Sequence, residues 1–123
     1  LEAGLGFAVK TDKAEFIGRD AVLRKNDVGL DARMVQFKLT DPEPLLYHNE
    51  PVLRDGEIVG YLSSGNYGHH LGGAIGLGYV PCAGESAAEV LASSYEIDVA
   101  GTRVVAEASL KPLYDPTGAR AKA

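Results

Sequence analysis

The sequence predicts a mainly β fold: a six-stranded, Greek-key-like β-barrel preceded by a short strand-helix segment. Three observations carry this prediction. From Arg33 onward, short runs of alternating apolar and polar residues recur with turn signals between them. No helical period of 3.6 residues appears after residue 30. A chain of 123 residues that is 46% hydrophobic can fill one core, and closing so many short strands into a barrel removes exposed sheet edges.

The elements follow in order. Gly6-Phe7-Ala8-Val9-Lys10 reads as a short strand, and Gly18 to Lys25 as a helix, with Asp20 in its first turn and Arg24 and Lys25 near its last. Gly29 is a stop signal. Val35, Phe37 and Leu39 then alternate with Met34, Gln36 and Lys38, the pattern of a half-buried strand. Asp41-Pro42-Glu43-Pro44 breaks it, because proline cannot donate to a ladder. Pro51 to Arg54 and Glu57 to Leu62 flank Asp55-Gly56, a two-residue hairpin signal. Ser63 to Gly73, rich in glycine and carrying Tyr67, His69 and His70, reads as a long loop. Ala74 to Val80 alternates glycine with large residues, as a strand does where backbones approach closely, and Pro81 ends it. Tyr95 to Val99 and Arg103 to Leu110 form the last two strands around Ala100-Gly101. The stretch Lys111 to Gly118 is a proline-stiffened tail, and Ala119 to Ala123 is expected to fray.

Composition narrows the function classes. The net charge of -5 argues against a general nucleic-acid or anionic-membrane binder, either of which needs a basic patch. No run approaches the roughly 18 apolar residues of a membrane span. The single cysteine, Cys82, rules out an internal disulfide framework and fits a reducing compartment, so a cytoplasmic location is expected, or the mitochondrial matrix in a eukaryote. The start at Leu1 without methionine is expected of a processed, truncated or excerpted chain.

Several motifs invite sharper readings. Gly4-Leu5-Gly6 and Gly76-Leu77-Gly78 lack the third glycine of a dinucleotide fingerprint, and no helix follows the second pair to seat a pyrophosphate. His48, His69 and His70 do not reach a zinc spacing, since adjacent histidines on extended chain point to opposite faces; no metal is expected. Ser63 and Ser64 lack the Gly-x-Ser-x-Gly context of a hydrolase nucleophile. Lys10, Lys13, Arg19, Arg24 and Lys25 form the one dense cationic stretch, either a solvated face or a source of one contact to a ligand carboxylate. Tyr114 on the stiff tail is either core or an amphipathic cover over a ligand.

The run Gly4 to Lys13 followed by Phe16-Ile17-Gly18-Arg19-Asp20-Ala21 resembles the junction segment of glycine cleavage T-proteins (aminomethyltransferases). Gly56 to Gly65, then Leu71 to Pro81, resembles their carboxy-terminal barrel. Within that superfamily, Leu46-Tyr47-His48 to Pro51, Tyr67-Gly68-His69 and Lys111 to Pro116 look most like the tail of sarcosine and dimethylglycine dehydrogenase-type flavoproteins. The resemblance implies a division into residues 1–31, the end of a preceding folate-binding domain, residues 32–118, the barrel, and a tail, residues 119–123.

It also implies a role. A flavin (FAD) in an upstream domain of the parent would oxidise a methylated glycine, and the one-carbon unit would pass to tetrahydrofolate in the T-protein-like half. The resemblance implies that the family's aspartate beside the folate and the glutamate that grips its pterin lie upstream, so no catalytic residue is expected in this chain and the expected partner is the upstream folate domain of the same polypeptide. By position in the family's motifs, Lys13 and Tyr114 are the expected contacts to the folate's acidic tail, with Tyr67 and His69 in the adjoining loop. A stand-alone T-protein fragment and a purely structural barrel without ligand contact are the alternatives.

Overall fold

The computed structural model describes residues 1–122. Six antiparallel strands close into a barrel: β1 (Ala32–Leu39), β2 (Pro51–Arg54), β3 (Glu57–Gly68), β4 (Gly73–Pro81), β5 (Tyr95–Val99) and β6 (Thr102–Ser109). Around the barrel the order is β1-β4-β3-β2-β5-β6, so β1 leaves by the long connection through residues 40–50 and is rejoined by β4. That is a Greek key, as expected.

Each strand is where its pattern places it. Val35, Phe37 and Leu39 are buried, while Met34, Gln36 and Lys38 face outward. Asp55 and Gly56 both have positive φ, 52° and 89°, the conformation of a two-residue turn whose twist matches its strands. The interior is filled by side chains from all six strands, with Phe37 packed on Tyr95 at a ring-centroid distance of 5.3 Å. Tyr95 donates its hydroxyl to the Val90 carbonyl at 2.8 Å, which satisfies the one polar atom its burial takes from water.

Five details differ from the sequence-based expectation. Gly6–Ala8 is a single 3-10 turn instead of a strand, because this segment meets the barrel through one backbone bond, Met34 N–H to the Glu2 carbonyl at 2.8 Å, and never forms a ladder. The first helix, α1, runs Arg19–Val28, three residues past its expected end, and stops at Gly29.

The expected loop from Ser63 to Gly73 is mostly strand: β3 continues to Gly68, leaving a four-residue turn from His69 to Gly72. Glycine there serves close approach. Gly65 pairs with Gly76, and a β-carbon on Gly65 would sit 2.7 Å from the backbone of Leu46 in the long connection lying over it. A register shift between Leu62 and Ser64 bends β3 so that one strand serves two faces of the wall.

The fourth difference is a short helix, α2 (Ala87–Ala92), where no helix was expected. Six residues show no periodicity, but Ser86 and Glu89 form a capping box in which each side chain accepts the other's backbone N–H. Finally, residues 119–122 fold back instead of fraying: the Asp115 carboxylate accepts the amides of Ala119 and Arg120, at 2.9 and 3.1 Å. Ala123 lies outside the described residues.

Candidate functional site

The barrel interior is full, so a ligand can meet only its outside. The outward faces of β1, β4 and β3 carry two shallow depressions. One, of about 330 Å³, lies between the Ala3–Phe7 turn, Met34, Leu77 and the Ser109–Pro112 exit of the tail. The other, of about 360 Å³, is bounded by Ser64 to Gly68, Ile75 and Leu77. Both are lined by Gln36 and Leu77, so they adjoin as a trough in two halves, with these two side chains between them, Phe7 at one end and Tyr67 at the other.

Strand geometry explains its make-up. Gln36 lies opposite Leu77 on one side and Ser109 on the other, and Ser64 also pairs with Leu77, so these outward side chains form one row across four strands. The trough is therefore apolar along its floor and edged with amide and hydroxyl groups. Lys111 adds a cation to its rim.

Three of the four sequence-selected residues gather at the Tyr67 end. Tyr67 and His69 meet edge to face with ring centroids 5.2 Å apart. The neighbouring His70 packs on Tyr114 at 4.7 Å, and the Arg120 guanidinium lies 5.8 Å from the Tyr114 ring centre while donating to its hydroxyl. Tyr114 is 42% exposed, so it is not a core residue.

Lys13 stands apart. Its side chain is exposed and, among the described residues, makes no ion pair. Arg19 organises the loop around it, with Nε donating to the Lys13 carbonyl at 3.0 Å and Nη2 to the Thr11 carbonyl at 3.2 Å. Beside this loop a broad open groove of about 760 Å³ runs from Ala14 to Arg24. Lys25 is engaged elsewhere, between Asp31 and Glu2, and the bond to Asp31, followed by that to Glu2, raises its pKa. The cationic stretch is thus divided: Arg19 and Lys25 hold the segment together, and Lys10, Lys13 and Arg24 are exposed.

Sequence reasoning missed Gln36 and Lys111, and it placed Arg19 in the cationic stretch without its bonds to the Lys13 and Thr11 carbonyls. Nothing in an alternating strand marks one outward glutamine, and the partners of Arg19 are backbone carbonyls that leave no residue-type signal. Among the described residues no three metal-ligating side chains come together, and no helix is long and apolar enough to cross a membrane.

A small antiparallel barrel with a filled interior, a strap of chain at one end and an open trough on its outer wall is a module that offers a surface instead of a cavity. The chain belongs to the glycine cleavage T-protein C-terminal barrel domain family, which matches residues 33–115.

Relatives agree. The chain is 39% identical over 119 residues to a 4-methylaminobutanoate oxidase (formaldehyde-forming) of Paenarthrobacter nicotinovorans, covering 96% of this chain and 14% of that protein. It is 32% identical over 126 residues to the mitochondrial sarcosine dehydrogenase of Homo sapiens, covering 99% of this chain and 14% of that protein. A probable aminomethyltransferase of Thermococcus kodakarensis is 34% identical, with 94% of this chain and 28% of that protein covered. The crystal structure of the glycine cleavage system aminomethyltransferase T from Bartonella henselae shares the fold, with a TM-score of 0.69 at 24% identity over 85% of this chain and 29% of that one. The chain therefore spans between about a seventh and under a third of the length of these proteins.

Proposed function

We propose that this chain is the carboxy-terminal module of a tetrahydrofolate-dependent aminomethyltransferase-like protein, fused to a flavin-dependent sarcosine or dimethylglycine dehydrogenase, and that its outer face walls the folate site. The observation that carries the reading is the trough from Phe7 to Tyr67, with Tyr67 in its lining, His69 packed on Tyr67, and the His70–Tyr114 pair on the turn that follows. The trough fits one side of a flat, acid-tailed ligand: aromatic rings pack against a conjugated system, and the lysines at its rim and on the Arg19 loop meet carboxylates. Relatives several times longer, among them an oxidase and a dehydrogenase, support the fusion.

Residues 1–31 then belong to the preceding folate-binding domain and residues 32–118 to the barrel. Helix α1 has no buried residue, and Phe7, Ile17 and Val28 are 86%, 105% and 85% exposed. Large side chains held so far out of the barrel core suit packing against a neighbouring domain. The upstream folate domain is the partner, FAD belongs further upstream, and the compartment is cytoplasmic, or the mitochondrial matrix in a eukaryote.

Bound tetrahydrofolate supplies the amine nitrogen that accepts the one-carbon unit. The work of this chain is positional. Tyr67, His69 and Tyr114 limit where a ligand ring can lie, and Lys13 holds its acidic tail, so the reactants meet without losing further orientational freedom. None of these residues moves a proton in the reaction.

The test is steady-state kinetics of the full polypeptide carrying Lys13→Ala, Tyr67→Ala or His69→Ala. A walling role raises KM for tetrahydrofolate by about tenfold, equivalent to about 1.4 kcal/mol, and leaves the thermal midpoint near wild type. Unchanged KM with a lowered midpoint would instead support a barrel that only stabilises its parent.

A further inference from the structure

Gln36 lies where the two halves of the trough meet, on the outward face of β1. Its Oε1 accepts the backbone N–H of Leu113 at 2.7 Å, a contact between residues 77 apart in sequence. Tyr114 is the next residue, so one hydrogen bond joins the barrel wall to the residue that carries the ring packed on His70.

The rest of the tail is tied mainly to itself. Ser109 Oγ donates to the Lys111 carbonyl at 2.7 Å and lies 3.1 Å from the Lys111 N–H, which sets the direction in which the chain leaves β6. Beyond Tyr114, the Asp115 carboxylate accepts two amides of its own turn, and Arg120, within that turn, donates to the Tyr114 hydroxyl. These bonds tie residues 114–120 to one another. The named ties of this segment to the barrel are the Gln36–Leu113 bond and the His70–Tyr114 packing. Pro112, lacking an N–H and fixed in φ, stiffens the joint between the two anchor points.

We infer that Gln36 is a positioning residue for Tyr114: its side-chain carbonyl seats the tail so that the Tyr114 ring rests on His70 and closes the Tyr67 end of the trough. The inference deepens the reading of Tyr114 as a ligand wall and rests on it for its functional consequence, though the positioning itself can be observed without a ligand. An exposed ring-on-ring contact is worth only about 0.5–1.5 kcal/mol. Removing a hydrogen bond of similar size is therefore enough to release the segment.

The test is the nuclear Overhauser contact between the His70 imidazole and Tyr114 ring protons in the 123-residue chain. Gln36→Leu removes the acceptor at nearly constant size, Gln36→Glu keeps an oxygen at the same reach, and Leu113→Pro removes the donor while leaving the sequence of every barrel strand unchanged. Wild type and Gln36→Glu show the contact; Gln36→Leu and Leu113→Pro lose it, while the dispersed amide spectrum of the barrel is retained. Persistence of the contact in either Gln36→Leu or Leu113→Pro, or its equal loss in Gln36→Glu, would overturn the assignment. In the full polypeptide, Leu113→Pro, at a residue outside the trough lining, raises KM for tetrahydrofolate with kcat held. If Tyr114→Ala leaves that KM unchanged, the folate reading fails while the ring contact still decides the positioning.

Discussion

Arg54 and Glu85 form a two-pronged ion pair, Nη1 to Oε2 and Nη2 to Oε1 both at 2.8 Å, that fastens β2 to the connection between β4 and α2. The same guanidinium donates through Nε to Ser93 Oγ at 2.7 Å and through Nη1 to the Pro81 carbonyl at 3.3 Å. One half-buried side chain thus ties both ends of the α2 excursion to the barrel wall. No residue of this clasp lines the trough, so its loss should affect stability and spare ligand binding.

The clasp has a pH signature. The hydrogen bonds from Arg54 hold the Glu85 carboxyl below its ordinary pKa. A carboxylate depressed on folding stabilises at pH values above its unfolded pKa, and that stabilisation is lost as pH falls through the folded value. The midpoint difference between wild type and Glu85→Gln is therefore largest near neutral pH and closes on acidification below the ordinary carboxylate range. Thermal melts from pH 7 to pH 3 check this, and a gap constant across the series would show that the pairing contributes nothing.

Gly65→Ala places a β-carbon 2.7 Å from the Leu46 backbone, which cannot swing aside as a side-chain end can. The expected cost is about 1–3 kcal/mol by urea unfolding, the range for overpacking a tight site.

Phe37→Ala empties the centre of the barrel and removes the ring packed on Tyr95. A loss of about 3–5 kcal/mol is expected from denaturant titration, enough to leave the chain partly unfolded at physiological temperature.

Ser86→Ala removes half of the capping box that starts α2. The helix has only six residues and little propensity to form alone, so the substitution should cost about 0.5–2 kcal/mol and speed amide exchange from Ala87 to Leu91. Exchange unchanged there would show that the Arg54 clasp, and not the cap, holds the helix.

How much was legible in the sequence follows from the physics of each element. Strands β1, β4, β5 and β6 announce themselves by period-2 burial, and the Asp55-Gly56 hairpin by residues that tolerate positive φ. The Ser63 to Gly68 stretch was misread because glycine marks both loops and close backbone approach; only the position of Leu46 over Gly65 tells the two apart. Helix α2 was hidden by its length, though Ser86-Ala87-Ala88-Glu89 carried its start signal. At the trough, motif likeness led to Tyr67, His69 and Tyr114, which the fold brings to one end. Gln36 and Lys111 join them only through strand register and the path of the tail, and neither is a property of one residue's neighbours in sequence.

The most direct measurement is hydrogen exchange on the full polypeptide with and without saturating tetrahydrofolate. A barrel that walls the folate site gives slower exchange in the His69–Gly72 turn and from Leu113 to Asp115, with no change in the Ala100-Gly101 turn. Unchanged exchange at the first two segments while folate is fully bound would contradict a folate wall at this face of the barrel.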